Sequence, residues 1–125
     1  MRGLIWSVAL SACVEEEPGA SPEYAGASDD GAVAYVLDFG AAPAVGPVAP
    51  TVSLSGEDGG PLLGAALAVE AYMPEHGHGP ADPPVVSERG DGVYDASWTF
   101  PMAGTWDVTL TVDGTHAWVA HVVVE

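Results

Sequence analysis

Between Gly90 and Val112 the chain alternates so regularly that few structures other than an antiparallel β-hairpin can accommodate it. Tyr94, Ala96, Trp98 and Phe100 alternate with Asp95, Ser97 and Thr99. Beyond them, Trp106, Val108, Leu110 and Val112 alternate with Thr105, Asp107, Thr109 and Thr111. A period of two puts one set on a dry face and the other on a wet face. Pro101-Met102-Ala103-Gly104 joins the runs, pairing a residue of fixed φ with a glycine free to take positive φ, as a strand-to-strand corner requires.

The rest of the chain from Ala32 onward repeats this theme in shorter pieces. Val33, Tyr35, Leu37 and Phe39 alternate with Ala34, Val36 and Asp38, giving a first strand over 32–39. Gly40 to Pro50 reads as a Pro/Ala/Gly connection, and Thr51 to Ser55 as a second strand with Val52 and Leu54 inward. Gly56-Glu57-Asp58-Gly59-Gly60-Pro61 is a turn cluster; it lacks the further acidic positions of a calcium loop. Ala65 to Met73 is compatible with a short helix, but its neighbours decide for a third strand, with Leu67, Val69, Ala71 and Met73 on one face. Val85 to Ser87 is a fourth strand, the hairpin supplies two more, and Thr115 to Val124 is a seventh, entered through Asp113-Gly114. Seven short strands with no convincing helix predict one all-β domain, an immunoglobulin-like antiparallel β-sandwich over 32–125.

Charge narrows the partners. The chain has 18 Asp and Glu against two basic residues, Arg2 and Arg89. Such a surface repels phosphate backbones, so nucleic acid is excluded as the expected partner. It attracts cations only non-specifically, within a screening length of about 10 Å.

The N-terminus reads as an address. Met1-Arg2-Gly3 precedes the apolar run Leu4 to Leu10, which is too short to span a bilayer and has the form of a signal peptide, residues 1–12. It closes in Leu10-Ser11-Ala12-Cys13, which resembles the bacterial lipoprotein box. That resemblance implies lipid on Cys13 and a membrane as partner; the alternative is an ordinary secretory signal with Cys13 near the cut. Cys13 is the only cysteine, so no internal disulfide is possible, and lipidation explains a lone exported thiol. Val14 rather than Asp after the cysteine implies the outer membrane or the cell surface. Residues 13–31, acidic and rich in Pro, Gly and Ser, read as a flexible tether whose Glu15, Glu16 and Glu17 form a solvated charge run.

Candidate chemistry concentrates in Tyr72-Met73-Pro74-Glu75-His76-Gly77-His78-Gly79. In an extended segment His76 and His78 fall on one side and can turn onto one small ion. A thioether from Met73 would make the set suit copper. The bland alternative is an exposed loop. In a seven-strand order of this kind the loop after strand three and the corner after strand five share a pole, which brings Met102 towards the histidines. His121 approaches the same end and His116 starts at the other. Taken singly, Met73 is a core residue, Met102 a plug for the open end of the core, and His121 a partly buried structural histidine sharing parity with Val119 and Val123.

At these positions the chain resembles a known family. Gly59 to Ala65, Met73-Pro74, Gly90-Asp91-Gly92-Val93-Tyr94 and Phe100-Pro101-Met102-Ala103-Gly104-Thr105-Trp106 look like the YtkA-like domain, which is similar to FixH-type and CopC-like exported sandwiches. The resemblance covers about Pro50 to Val112 and implies a small exported or membrane-attached β-sandwich linked with copper or heavy-metal handling. The family pattern commonly has a second Met soon after Met-Pro, where this chain has Glu75 and His76. A mixed His/Met site, or none, is therefore implied in place of a thioether-rich Cu(I) site.

Two functions remain open. One is a lipid-anchored module that binds copper at one pole and works with a copper-handling protein. The other is a metal-free module that docks onto another envelope protein. Catalysis is not expected: no nucleophile set is evident, and four histidines are too few for a dismutase-type centre.

Overall fold

The computed structural model describes residues 22–125; the signal peptide, Cys13 and the tether up to residue 21 lie outside them. Nine strands form: β1 (Glu23–Ala27), β2 (Ala34–Asp38), β3 (Gly46–Val48), β4 (Thr51–Ser55), β5 (Leu67–Tyr72), β6 (Val85–Gly90), β7 (Val93–Phe100), β8 (Gly104–Val112) and β9 (His116–Val124). One sheet runs β1-β2-β4-β7, with β6 on the far side of β7, and the other runs β5-β8-β9. All pairings are antiparallel. Without β1 and β3, this is the four-plus-three strand order of an immunoglobulin constant-type sandwich.

The run 90–112 is not the paired hairpin expected: β7 and β8 lie in different sheets, and the corner 101–103 crosses from one sheet to the other, yet the alternation works as expected in both strands because each turns its dry face to the space between the sheets. Tyr94, Ala96, Trp98 and Phe100 face inward, as do Trp106, Val108, Leu110 and Val112, and all eight are buried. Trp106 is the largest fully buried side chain among the described residues, its ring 5.3 Å from that of Phe100. Its indole N–H donates to the Met102 carbonyl at 3.1 Å, bracing the corner between β7 and β8.

Two strands were expected to be something else. β3 lies in the Pro/Ala/Gly connection, where Pro47 and Pro50 disguise it. The partners Gly46↔Phe100 and Thr51↔Asp95 keep one register along β7, so β3 and β4 are one strand interrupted at Ala49-Pro50. β1 lies inside the stretch 13–31 expected to be tether, so the folded domain starts before residue 32. It is held by main-chain pairing to β2, by Phe39 N–H donating to Pro22 O at 2.6 Å, and by Tyr24, whose hydroxyl accepts from Val123 N–H at 3.3 Å. A Cβ on Gly26 would lie 2.1 Å from Nε1 of Trp118, which stacks on Tyr35 with ring centroids 5.6 Å apart. Only glycine lets β1 pass beneath that indole.

The loops gather at two poles. Residues 39–45, 73–84 and 101–103 meet at one, where Val45 and Pro43 exchange backbone hydrogen bonds with Glu125 at 3.1 Å each. Residues 28–33, 56–66, 91–92 and 113–115 form the other. There Ser28 Oγ donates to Asp30 Oδ1 at 2.6 Å, Ala32 N–H donates to the same oxygen at 3.0 Å, and His116 Nδ1 lies 2.7 Å from Asp30 Oδ2. Tyr35 Oη donates to the His116 carbonyl, tying β2 to β9. Asp58 Oδ1 accepts from Gly60 N–H at 2.9 Å, so the turn cluster binds its own carboxylate.

Two outcomes follow from β1 and its loop. Gly26→Val displaces Trp118 from Tyr35 and destabilises the domain by about 1–3 kcal/mol, the usual cost of overpacking, measurable by urea unfolding. Hydrogen bonds from Ser28 and Ala32, with His116 adding to them, hold the Asp30 carboxyl down from 3.8 to about 2. A carboxyl depressed in the folded state stabilises it above the unfolded value, and that contribution fades as pH falls through about 2. Asp30→Asn should therefore lower the unfolding midpoint at pH 7 and leave a flatter stability profile in acid.

Candidate functional site

The loop after β5 is tightly wound. Met73 N–H donates to His78 O at 2.9 Å, while Met73 O accepts from His76 N–H at 3.2 Å and Gly77 N–H at 2.8 Å. Gly77 closes the turn at φ +67°, the left-handed region that glycine enters without strain. Gly79 is also constrained, since a Cβ there would lie 2.9 Å from Ala71 O.

This winding presents the two imidazoles together, with ring centroids 6.0 Å apart and planes at 47°. A transition metal held at about 2.1 Å from a ring nitrogen lies about 3.2 Å from the ring centroid, so two imidazoles on one ion stand roughly 5–6.4 Å apart. The observed spacing fits. His78 is the better fixed of the two: its ring meets Trp106 edge-on at 5.8 Å, and its Nδ1 lies 3.1 Å from Gly79 O. A carbonyl can only accept, so Nδ1 carries the proton and the Nε2 lone pair is left for a ligand. His76 is exposed.

The sulfur residues behave differently. Met73 is buried, 1% exposed, with its Cε where a side chain on Gly104 would have to go, at 2.6 Å from the would-be Cβ. Its thioether packs in the core and is not turned to the loop. Met102 is half-buried and packs against the core at the same pole, while its carbonyl serves Trp106. The donors offered at the loop are thus two imidazoles, and thioether chemistry does not dominate them.

His121 requires a correction. It does share parity with Val119 and Val123, but that face of β9 points outward; Ala120, Val122 and Val124 point in. A one-residue change of parity swaps the faces of a strand. The side chain is 71% exposed, and Nδ1 lies 2.8 Å from Asp107 Oδ1 on the neighbouring strand. Among the described residues no three His, Cys, Asp or Glu side chains come together around a common point, so His121 does not join His76 and His78.

The Ser28–Asp30–His116 group is not legible in the sequence, because Ser28 and Asp30 lie in the loop after β1 while His116, 86 residues beyond Asp30, starts β9 and meets them only in the fold. It does not form a nucleophile relay. Ser28 donates to the carboxylate and not to the imidazole, whereas a hydroxyl nucleophile needs a base beside it.

The quoted motifs have structural work to do. Tyr94 Oη donates to Leu62 O and accepts from Ala65 N–H, both at 2.9 Å. Gly92, at φ +80°, lies where a Cβ would meet Pro61 at 2.8 Å. Gly104 admits Met73. Each motif thus fastens one loop to the sandwich.

The family model described as YtkA-like matches residues 31–111. Among solved structures the chain is similar to the Yersinia pseudotuberculosis adhesin InvE, with 22% identity and a TM-score of 0.47, over 66% of this chain and 23% of that one. The chain thus spans under a quarter of that adhesin's length. No curated protein matches it.

Met73→Ala tests the role of the thioether. As a core truncation it should cost about 2–5 kcal/mol in unfolding free energy while leaving any metal affinity of the loop unchanged. A full ligand role would instead show as lost affinity.

Proposed function

The chain belongs to the YtkA-like family, and on that premise we propose that it is a non-enzymatic module of the bacterial envelope, held to a membrane by lipid on Cys13 and binding copper through His76 and His78. The observation that carries the metal reading is the pair of imidazoles 6.0 Å apart, with the tautomer of His78 fixed by Gly79. Imidazole suits copper, which heads the order of divalent first-row affinities at nitrogen sites. With Met73 in the core, two imidazoles completed by water or backbone groups favour Cu(II) over a thioether-bound Cu(I). The family resemblance points the same way, through its link with metal handling. A copper-handling envelope protein is the natural partner for such a module. The signal-peptide form of residues 1–12 and the Cys13 box support the location.

The test is a titration of residues 22–125, which keep β1, with Cu(II) and with Cu(I) under reducing conditions. Wild type should take up one Cu(II) with an imidazole spectroscopic signature. His76→Ala with His78→Ala should weaken it by about tenfold or more, equivalent to about 1.4 kcal/mol. Equal binding by the double variant, or none by wild type, removes copper from the proposal and leaves the metal-free docking module.

A further inference from the structure

The two sheets leave outer edges at β1, β6, β5 and β9, and these are not equally protected. An unpaired edge is a template for another strand unless charge, proline, a bulge or a neighbour blunts it. β1 and β9 cover one another: Tyr24 Oη accepts from Val123 N–H, and the Trp118 indole lies over Gly26. β6 follows Pro83-Pro84, carries exposed Glu88 and Arg89, and is broken by a bulge between Glu88 and Gly90. β5 reads Leu-Ala-Val-Glu-Ala-Tyr, with no proline and one charge, and pairs with β8 in unbroken register. Among the described residues it is the edge left unblunted.

Register shows which backbone groups that edge offers. Asp113 N–H donates to Ala66 O at 2.9 Å, and the pairing continues in step through Ala68↔Thr111, Glu70↔Thr109 and Tyr72↔Asp107. Alternate residues of an antiparallel strand bond to opposite sides, so Leu67, Val69 and Ala71 turn their N–H and C=O groups away from β8. Met73 has the same parity, and its N–H donates outward to His78 O. Gly79 crowds Ala71 O, which leaves the edge open along Leu67 to Glu70. On the outer face of this strand Glu70 and Tyr72 are both exposed, two residues and so about 7 Å apart. The Glu70 carboxylate has neither hydrogen bond nor ion pair among the described residues. Beside it a groove of about 400 Å³ lies between Tyr72 and Pro80, Pro83 and Pro84.

We propose that the β5 edge takes an extended segment of another protein as an added antiparallel strand, with an arginine opposite Glu70. Antiparallel addition is favoured because its hydrogen bonds run straight across the pair. A partner residue opposite Glu70 shares its face and falls at a pair without mutual main-chain bonds, where side chains stand closest. From there a guanidinium can meet the Glu70 carboxylate through two N–H groups and lie across the Tyr72 ring. Charge argues against the occupants this chain itself supplies. Its cations are Arg2, in the signal-peptide stretch, and Arg89, which is paired to Asp95. Neither a second copy nor residues 14–21, which include Glu15, Glu16 and Glu17, has a free cation to set against Glu70. Such an edge works without copper at His76 and His78 and without lipid on Cys13.

The experiment uses the full chain in a non-ionic detergent and fluorescein-labelled short peptides of alternating valine and threonine, with arginine or glutamate in place of a central threonine. The arginine peptide should bind about tenfold or more tightly than the glutamate peptide, and Glu70→Arg, at an exposed site, should reverse that order. N-methylation of the two residues flanking the arginine removes the N–H groups that face β5 and should abolish binding. N-methylation of the arginine itself, whose N–H points away from β5, should leave binding intact. No binding of the arginine peptide, equal binding of both, an order that Glu70→Arg leaves unchanged, or indifference to where the methyl groups lie overturns the proposal. So does a dimer of the chain that Leu67→Pro dissociates, because the occupant is then a second copy; proline is tolerated at the first residue of a strand and removes an N–H from this edge alone. A copper chelator should not alter peptide binding, so the copper reading and this one fail separately.

Discussion

The sandwich depends on the burial of Trp106. Its ring fills the space between the sheets beside Phe100, at 0% exposure, and its one polar atom is satisfied by the Met102 carbonyl across the corner. A buried indole N–H without a partner would cost about 1–3 kcal/mol, so the corner between β7 and β8 is set by the same residue that sets the core. The consequence reaches the surface loop as well. His78 rests edge-on against Trp106, so the candidate ligand is held from beneath by a fully buried side chain of the core.

How much of this was legible follows from the kind of force involved. The inward faces of β2, β4, β5, β7 and β8 could be read directly, since large apolar residues at every second position have one stable burial. β9 could be read as a strand but not as a face: Val119 and Val123 compete with Trp118, Ala120, Val122 and Val124, so the pattern does not decide which set is dry. His121 was therefore assigned to the wrong side. β1 left no apolar pattern at all, because main-chain bonds, one tyrosine and a glycine whose value appears only under Trp118 hold it in place. β3 was hidden by the prolines that interrupt it. In the candidate site, the proximity of His76 and His78 was readable from their spacing. The fixing of His78 by Gly79 and Trp106 was not, since it depends on how the loop winds.

The family signature and the candidate chemistry occupy different residues. Tyr94 and Gly92 pin the loop 61–65, Gly104 makes room for Met73, and Met102 lends its carbonyl to Trp106. These roles are architectural, and a chain can meet all of them whatever it binds. Function on such a scaffold has to be argued from the loops it presents. In this chain the loop in question departs from the pattern, placing Glu75 and His76 where a thioether is common. On the copper reading proposed above, that departure exchanges a soft sulfur donor for nitrogen.

The distribution of charge bears on how such a domain works near a membrane. With Arg89 paired to Asp95 at 2.5 Å and no other Lys or Arg among the described residues, nothing on the surface draws the domain down onto anionic lipid. Attraction through basic patches, the usual means of docking a peripheral protein, is therefore closed to it.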